Sequence, residues 1–227
     1  MKPSRSVTNY KRRGYYLSQI NLSPIWLPYY NQFIEAYVKN FFWTQPHFLS
    51  EDHVHALFSW AKECEDDGLL KPASIGKGNR KHQNTEIRTD KIYWIDQFSS
   101  SKGKLVQDIF SDLQKILRQK FFLPAKRFEC HFAKYEPGSF YKVHQDRHFE
   151  KPGRLVTCVV YLTGSECGQG GELIVYDEEL RKVTIQPEPG RIVVFDSSLE
   201  HEVLRTQTNR WSLTGWIRSD LHPGIRL

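Results

Sequence analysis

From Asn31 to Phe42 apolar residues recur at helical spacing (Phe33, Ile34, Tyr37, Val38, Phe41), which predicts an amphipathic helix. A second helix is predicted from Ser50 to about Glu65. Ser50 suits the N-cap, Glu51 and Asp52 suit the first turn, and Val54, Leu57, Phe58 and Ala61 make the buried stripe. Asp67-Gly68 ends it. Lys71 to Gln83 is polar and carries Gly76 and Gly78, which predicts a mobile loop, and Ile87 to Ile95 reads as a strand. A third helix is expected over Ser101–Phe121, with Leu105, Ile109, Leu113, Ile116 and Leu117 inward.

After Pro124 the period changes. Short alternating or apolar runs follow at Phe128–Tyr135, Phe140–Asp146, Leu155–Leu162, Glu172–Tyr176, Lys182–Gln186, Arg191–Asp196, Glu202–Leu204 and Trp211–Ile217. Turns punctuate them at Pro137-Gly138, Pro152-Gly153, Gly168-Gln169-Gly170-Gly171 and Pro189-Gly190. Evenly spaced short strands after a set of helices predict a mainly β chain, a jelly roll with a helical buttress. The 227 residues suit a single domain over 31–227, with the buttress at 31–122 and the β core at 126–218. Residues 1–30 are polar and read as an irregular, basic N-terminal extension.

Charge changes this picture less than its total suggests. The net charge is +6, but Lys2, Arg5, Lys11, Arg12 and Arg13 all precede the first acid, Glu35. Without those five the remainder stands at +1, so nucleic acid is not an expected partner of the folded domain. No run approaches the roughly 18 apolar residues of a membrane span. Met1-Lys2-Pro3-Ser4-Arg5 lacks the apolar stretch of a signal peptide. Cys64, Cys130, Cys158 and Cys167 are scattered, as expected of reduced thiols in a cytoplasmic protein.

The chemistry concentrates in four residues. His144 and Asp146 are two apart, so on a strand they would point the same way, and His201 would join them from another strand or loop edge. Two imidazoles and a carboxylate can hold one face of an octahedral iron(II) and leave the other open. Taken singly, each has an ordinary reading as a surface histidine or turn aspartate. Arg210, opening the run Arg210-Trp211-Ser212-Leu213-Thr214-Gly215-Trp216, adds a guanidinium able to clamp a carboxylate. His148 would share the His144 face, but three alternate residues of one strand spread too far, about 6–7 Å apiece, to wrap one ion. His47, His53, His55, His82, His131 and His222 have no assigned role.

With these residues in place, Phe128 to Arg218 resembles the double-stranded β-helix of the 2-oxoglutarate/iron(II) dioxygenases. Glu86-Ile87-Arg88-Thr89-Asp90-Lys91-Ile92-Tyr93-Trp94-Ile95-Asp96 resembles the substrate-edge segment of the animal oxygen-sensing prolyl hydroxylases. Phe128-Glu129-Cys130-His131-Phe132-Ala133 with Tyr135-Glu136-Pro137-Gly138 is closer to the bacterial prolyl hydroxylases that act on elongation factor Tu. The resemblance spans roughly residues 45–220. It implies a prolyl 4-hydroxylase that uses Fe(II), 2-oxoglutarate and O2, and it also admits ascorbate. It implies metal ligation by His144, Asp146 and His201. Arg210 and Tyr161 would bind the distal carboxylate of 2-oxoglutarate, and Tyr135, Tyr141, Thr214 and Leu173 would line the same pocket. Arg88 would contact substrate beside a gating loop, Asp90 would pair with Arg154, and Trp94 and Trp216 would form apolar walls for a proline ring. The alternatives are a hydroxylase of another protein or of a small molecule, and a non-catalytic binding module that keeps the fold.

Overall fold

A computed structural model describes residues 20–74, 84–147, 153–177 and 181–219. His82, His148, His222, most of the expected gating loop and the basic extension up to residue 19 lie outside the described residues. Among the described residues three α-helices, α1 (Tyr30–Asn40), α2 (Glu51–Asp66) and α3 (Ser101–Lys120), back a β sandwich. Each of the longer two starts on a serine. Ser50 accepts from the His53 amide at 3.3 Å and Ser100 from the Gly103 amide at 3.0 Å.

Eleven strands are found among the described residues. They are β1 (Phe42–Gln45), β2 (Lys71–Pro72), β3 (Lys91–Ile95), β4 (Arg127–Tyr135), β5 (Tyr141–His144), β6 (Arg154–Tyr161), β7 (Leu173–Tyr176), β8 (Lys182–Ile185), β9 (Ile192–Asp196), β10 (His201–Val203) and β11 (Arg210–Arg218). The larger sheet runs β1-β9-β6-β11-β4-β3-β2 and the smaller β5-β10-β7-β8, with every pairing antiparallel. The order interleaves early and late strands, as a double-stranded β-helix requires.

Strand alternation divides the interior in two. Odd-numbered positions of β11 (Trp211, Leu213, Ile217) and even ones of β4 and β6 (Cys130, Phe132, Val156, Cys158, Val160) meet the helices in the main core. The opposite faces contribute Ala133, Tyr135, Val159 and Tyr161. These pack with Leu173, Val175 and Ile185 of the small sheet in a second cluster between the sheets. The site opens into this second cluster.

Three expectations shift. The first helix stops at Asn40 because Phe41 takes a left-handed conformation (φ 53°), and Phe42–Gln45 joins the large sheet as β1. The β-favouring pair Phe42-Trp43 pulls the chain into extended pairing. Lys71–Pro72, expected in a loop, pairs with Lys91–Ile92. The strand expected from Ile87 begins only at Lys91. Upstream, the Asn84 carbonyl accepts the amides of Ile87 and Arg88, and its side chain accepts that of Glu86, which folds the segment into a turn.

Trp26, within the polar lead, is completely buried against Phe33, Trp43 and Phe48, and its indole N–H donates to the Ile109 carbonyl of α3 at 2.8 Å. It ties the lead to the helical layer. Trp26→Ala should lower stability by about 3–5 kcal/mol; a urea midpoint like that of the parent would contradict this.

Candidate active site

The site begins with a strand register. In the β5–β10 pair His144 stands directly opposite His201, and their rings lie 4.1 Å apart. His144 Nδ1 faces the Lys142 carbonyl at 2.7 Å and His201 Nδ1 the Leu199 carbonyl at 3.0 Å. Each carbonyl can accept an Nδ1–H, the tautomer in which Nε2 is available to ligate. Both Nε2 atoms point to Asp146: His201 Nε2 is 3.3 Å from Oδ2 and His144 Nε2 is 3.9 Å from Oδ1. One donor atom from each of the three residues lies within 4.8 Å of the others, a compact set able to hold a cation.

Asp146 reaches this point by a different route from the one its spacing suggests. β5 ends at His144, so Asp146 lies in the bend that follows and does not share a strand with it. The large sheet holds it there. Thr157 of β6 donates its hydroxyl to Asp146 Oδ2 at 2.9 Å, Ser197 lies 2.9 Å from Thr157 Oγ1, and the Arg147 amide donates to the Ser197 carbonyl. Burial pushes the Asp146 carboxyl up, but His201, Arg154 and His144 around it hold it well below the usual carboxylate range. Burial and the neighbouring His201 push His144 well below the ordinary imidazole value, against the pull of Asp146. Both shifts favour the deprotonated forms of Asp146 and His144, the state in which they can bind a metal.

A second feature lies deeper between the sheets. Arg210 opens β11 opposite Tyr135, is buried, and has no carboxylate within ion-pair distance among the described residues. Its guanidinium is 4.9 Å from the Tyr135 ring and 4.8 Å from the Tyr161 ring. Among the described residues Arg210 Nε and the Tyr161 hydroxyl have no hydrogen-bond partner, although Arg210 is close enough to draw the Tyr161 pKa down against the stronger upward push of burial. A buried guanidinium with an unpartnered N–H is costly, and an anion beside it would offset that cost. The donor triad suits a cation and the buried guanidinium suits a carboxylate, the charge complement of a metal and an acidic co-substrate. Leu173 packs in the cluster with Tyr135 and Tyr161, and Thr214 pairs with His131 and Val159. Gly170 (φ 73°) lets the neighbouring loop pass, since a Cβ there would stand 2.0 Å from the Arg205 carbonyl.

At the other end of β11, Trp216, Trp94 and His131 form one wall. Trp94 and Trp216 are 6.0 Å apart, and His131 lies 4.9 and 5.2 Å from them. Trp94 is 41% exposed and Trp216 only 6%, so the wall has an open outer edge. Arg154 lies flat on Trp216 at 3.4 Å. The expected Asp90–Arg154 pair is not formed. Asp90 is taken by Arg88, at 2.7 and 2.5 Å, while Arg154 holds Glu129 at 2.9 Å and approaches Asp146 Oδ1 at 3.6 Å. Arg88 is nearer in sequence to Asp90, and Glu129 on β4 is already shared with Arg218. Burial would raise the Glu129 carboxyl, but Arg154 and Arg218 hold it below the ordinary range.

Arg88, expected to face substrate, is therefore engaged inward. Tyr141, expected to face the co-substrate, lies with its ring against His144. Sequence reasoning passed over Thr157, Glu129 and His131. Thr157 carried a usable signal, because strand alternation puts it on the face of Val159 and Tyr161. His131 sits on the face of Ala133 and Tyr135 for the same reason.

The model of the 2OG-Fe(II) oxygenase superfamily matches residues 130–218, which contain the donor triad, Tyr161 and Arg210. A prolyl-4-hydroxylase of Pseudomonas putida is 33% identical with a TM-score of 0.76, covering 85% of this chain and all of that one. A Trichoplax adhaerens prolyl hydroxylase, solved with a fragment of the hypoxia inducible factor oxygen degradation domain, has a TM-score of 0.72 at 24% identity, covering 85% of this chain and 90% of that one. An uncharacterized PKHD-type hydroxylase of Synechocystis is 25% identical over 224 residues, 90% of this chain and 72% of that protein. The chain belongs to the 2OG-Fe(II) oxygenase superfamily, in its prolyl hydroxylase branch. Iron(II) and 2-oxoglutarate are its cofactor and co-substrate.

Two outcomes are expected. Thr157→Val, which removes the hydroxyl that anchors Asp146, should weaken Mn(II) binding about ten- to a hundredfold with the fold retained; isothermal titration checks this. Arg210→Lys keeps the charge but loses the fork. It should raise the 2-oxoglutarate requirement roughly ten- to a hundredfold, corresponding to about 1.5–3 kcal/mol. Normal turnover at limiting 2-oxoglutarate would place the clamp elsewhere.

Proposed function

We propose that the protein hydroxylates a proline within a protein loop, with elongation factor Tu as the substrate. The observation that carries the reading is the layout along β11. A buried arginine without a carboxylate partner among the described residues opens the strand, an aromatic wall with an open edge stands toward its other end, and Thr157, paired with Trp216, holds the carboxylate of a two-histidine, one-carboxylate donor set. His144, Asp146 and His201 would hold the metal, and Arg210 with Tyr161 the co-substrate carboxylate. Iron(II) with 2-oxoglutarate and O2 supplies the oxidation, in which 2-oxoglutarate becomes succinate and carbon dioxide as one oxygen atom enters a C–H bond. The chain's own part is geometric. Arg210 fixes one end of the co-substrate, the inter-sheet apolar cluster keeps water from it, and Trp94 and Trp216 offer flat faces to a pyrrolidine ring.

The choice of elongation factor Tu rests on the likeness of the Phe128–Gly138 stretch to bacterial prolyl hydroxylases with that substrate. A retained fold without activity would not need a complete donor triad together with an Arg210 that has no carboxylate partner among the described residues, which is why the binding-module reading is set aside. Purified elongation factor Tu incubated with the protein, iron(II) and 2-oxoglutarate should gain one oxygen atom on one proline, located by peptide mass spectrometry. His201→Ala should abolish the gain. If elongation factor Tu stays unmodified while the protein still consumes 2-oxoglutarate with another protein substrate, the target is different. Loss of the gain on Trp94→Ala through a raised KM for the protein substrate, with the 2-oxoglutarate requirement unchanged, would locate the substrate against the wall.

A further inference from the structure

The turn that leads into β3 does more than border the cleft. Arg88 forms an isolated antiparallel bridge with Tyr141, the Lys142 amide donates to the Ile87 carbonyl at 2.9 Å, and the Thr89 amide donates to the Phe140 carbonyl at 3.2 Å. Thr89 Oγ1 accepts from the Phe140 amide at 3.1 Å. This turn therefore acts as a further strand beside β5. Its side chains continue the contact inward. The Arg88 guanidinium lies over the Tyr141 ring at 4.2 Å, and the Tyr141 ring lies over the His144 imidazole at 3.5 Å, with 14° between their planes.

A 3.5 Å centroid separation is close to van der Waals contact, so the two rings overlap with little offset. Two aromatic quadrupoles left to themselves choose an offset or edge-on arrangement. Something must hold Tyr141 in place from outside, and the guanidinium on its other face does so, through a cation–π contact. Asp90, whose side chain is fully buried, keeps that guanidinium in one orientation by accepting from both Nε and Nη2. Among the described residues the His144 ring has one hydrogen bond, from Nδ1 to the Lys142 carbonyl, about which it can still rock. A flat neighbour parallel to the ring removes that freedom.

From this stack we infer that Arg88 is a positioning residue for His144, acting through Tyr141, so that the turn at residues 84–90 sets the orientation of a metal ligand it does not touch. The inference rests on the assignment of His144 as a ligand. It gives Arg88 a role in the metal centre in place of direct substrate contact. Whatever displaces the turn would also loosen the ligand.

The test measures Mn(II) affinity by titration without 2-oxoglutarate, and the visible absorption spectrum of the Co(II)-loaded protein, which reports ligand geometry. Arg88→Met combined with Asp90→Asn removes both charges and leaves no buried carboxylate unpaired. It should weaken Mn(II) binding about ten- to a hundredfold and shift the Co(II) spectrum, as loss of an outer partner of a metal ligand does. Tyr141→Leu should do the same, whereas Tyr141→Phe, which keeps the flat ring, should retain both readouts. If the Arg88/Asp90 variant folds by circular dichroism and binds Mn(II) like the parent with an unchanged Co(II) spectrum, the inference is overturned. If that variant does not fold, the tyrosine pair decides: equal affinity of the Leu and Phe variants overturns it, and a selective loss in Leu supports it. His201→Ala, run alongside, separates the two layers. Parent-like Mn(II) binding there would remove the ligand assignment itself. Loss there together with intact binding in the Arg88/Asp90 variant would remove only the positioning role.

Discussion

The pairing of β5 with β10 is the constraint on which the site depends. It sets His144 opposite His201, and no other element needs to bring the imidazoles together. Because side chains alternate along a strand, a slip of one residue in this short pair would send one ring to the outer face. The pair is only a few residues long, so its register is fixed from outside. β7 pairs His201 with Val175 on one side, and the 84–90 turn bridges to Tyr141 on the other. The third donor comes from the opposite sheet's influence: Thr157 of β6 reaches across to Asp146.

The large sheet organises the rest along one face. From Arg210 through Ser212 and Thr214 to Trp216, alternate residues of β11 run from a buried guanidinium to an aromatic wall, and β4 and β6 supply their neighbours at each level. Charge is used sparingly there. Arg154 and Arg218 share Glu129, and Arg88 holds Asp90, so the guanidinium left without a described carboxylate is Arg210. A buried cation without a carboxylate is costly, which favours an anion beside it.

Much of this was legible in the sequence. Helical periodicity located the three helices, and the alternation after Pro124 located the strands of the sandwich, because both patterns report burial directly. The donor residues and Arg210 stood out through residue type and spacing. What the sequence did not reveal depended on partner choice in three dimensions. Asp90 could have paired with either of two arginines, and the decision for Arg88 follows from the fold of the Asn84 turn, which brings that arginine back over its own neighbour. Asp146 was expected on the strand of His144, yet it lies beyond the strand's end, because Thr157 and Arg154 of β6 and the backbone at Ser197 draw it away from the small sheet. Alternation gives His131 its face, but its two tryptophan neighbours become visible only once β3 and β11 lie on either side of β4.

The way Asp146 is fastened has a thermodynamic consequence. Two donors belong to the small sheet, and the third is secured by a hydroxyl of the large one, so an ion among them bridges the two layers of the sandwich. Closing the layers and filling the centre then become linked equilibria, in which each gains what the other contributes. The resistance of the inter-sheet seam to opening becomes a function of free metal concentration, and amide protons of β5 and β10 would report on the cell's iron supply as well as on the strength of the fold.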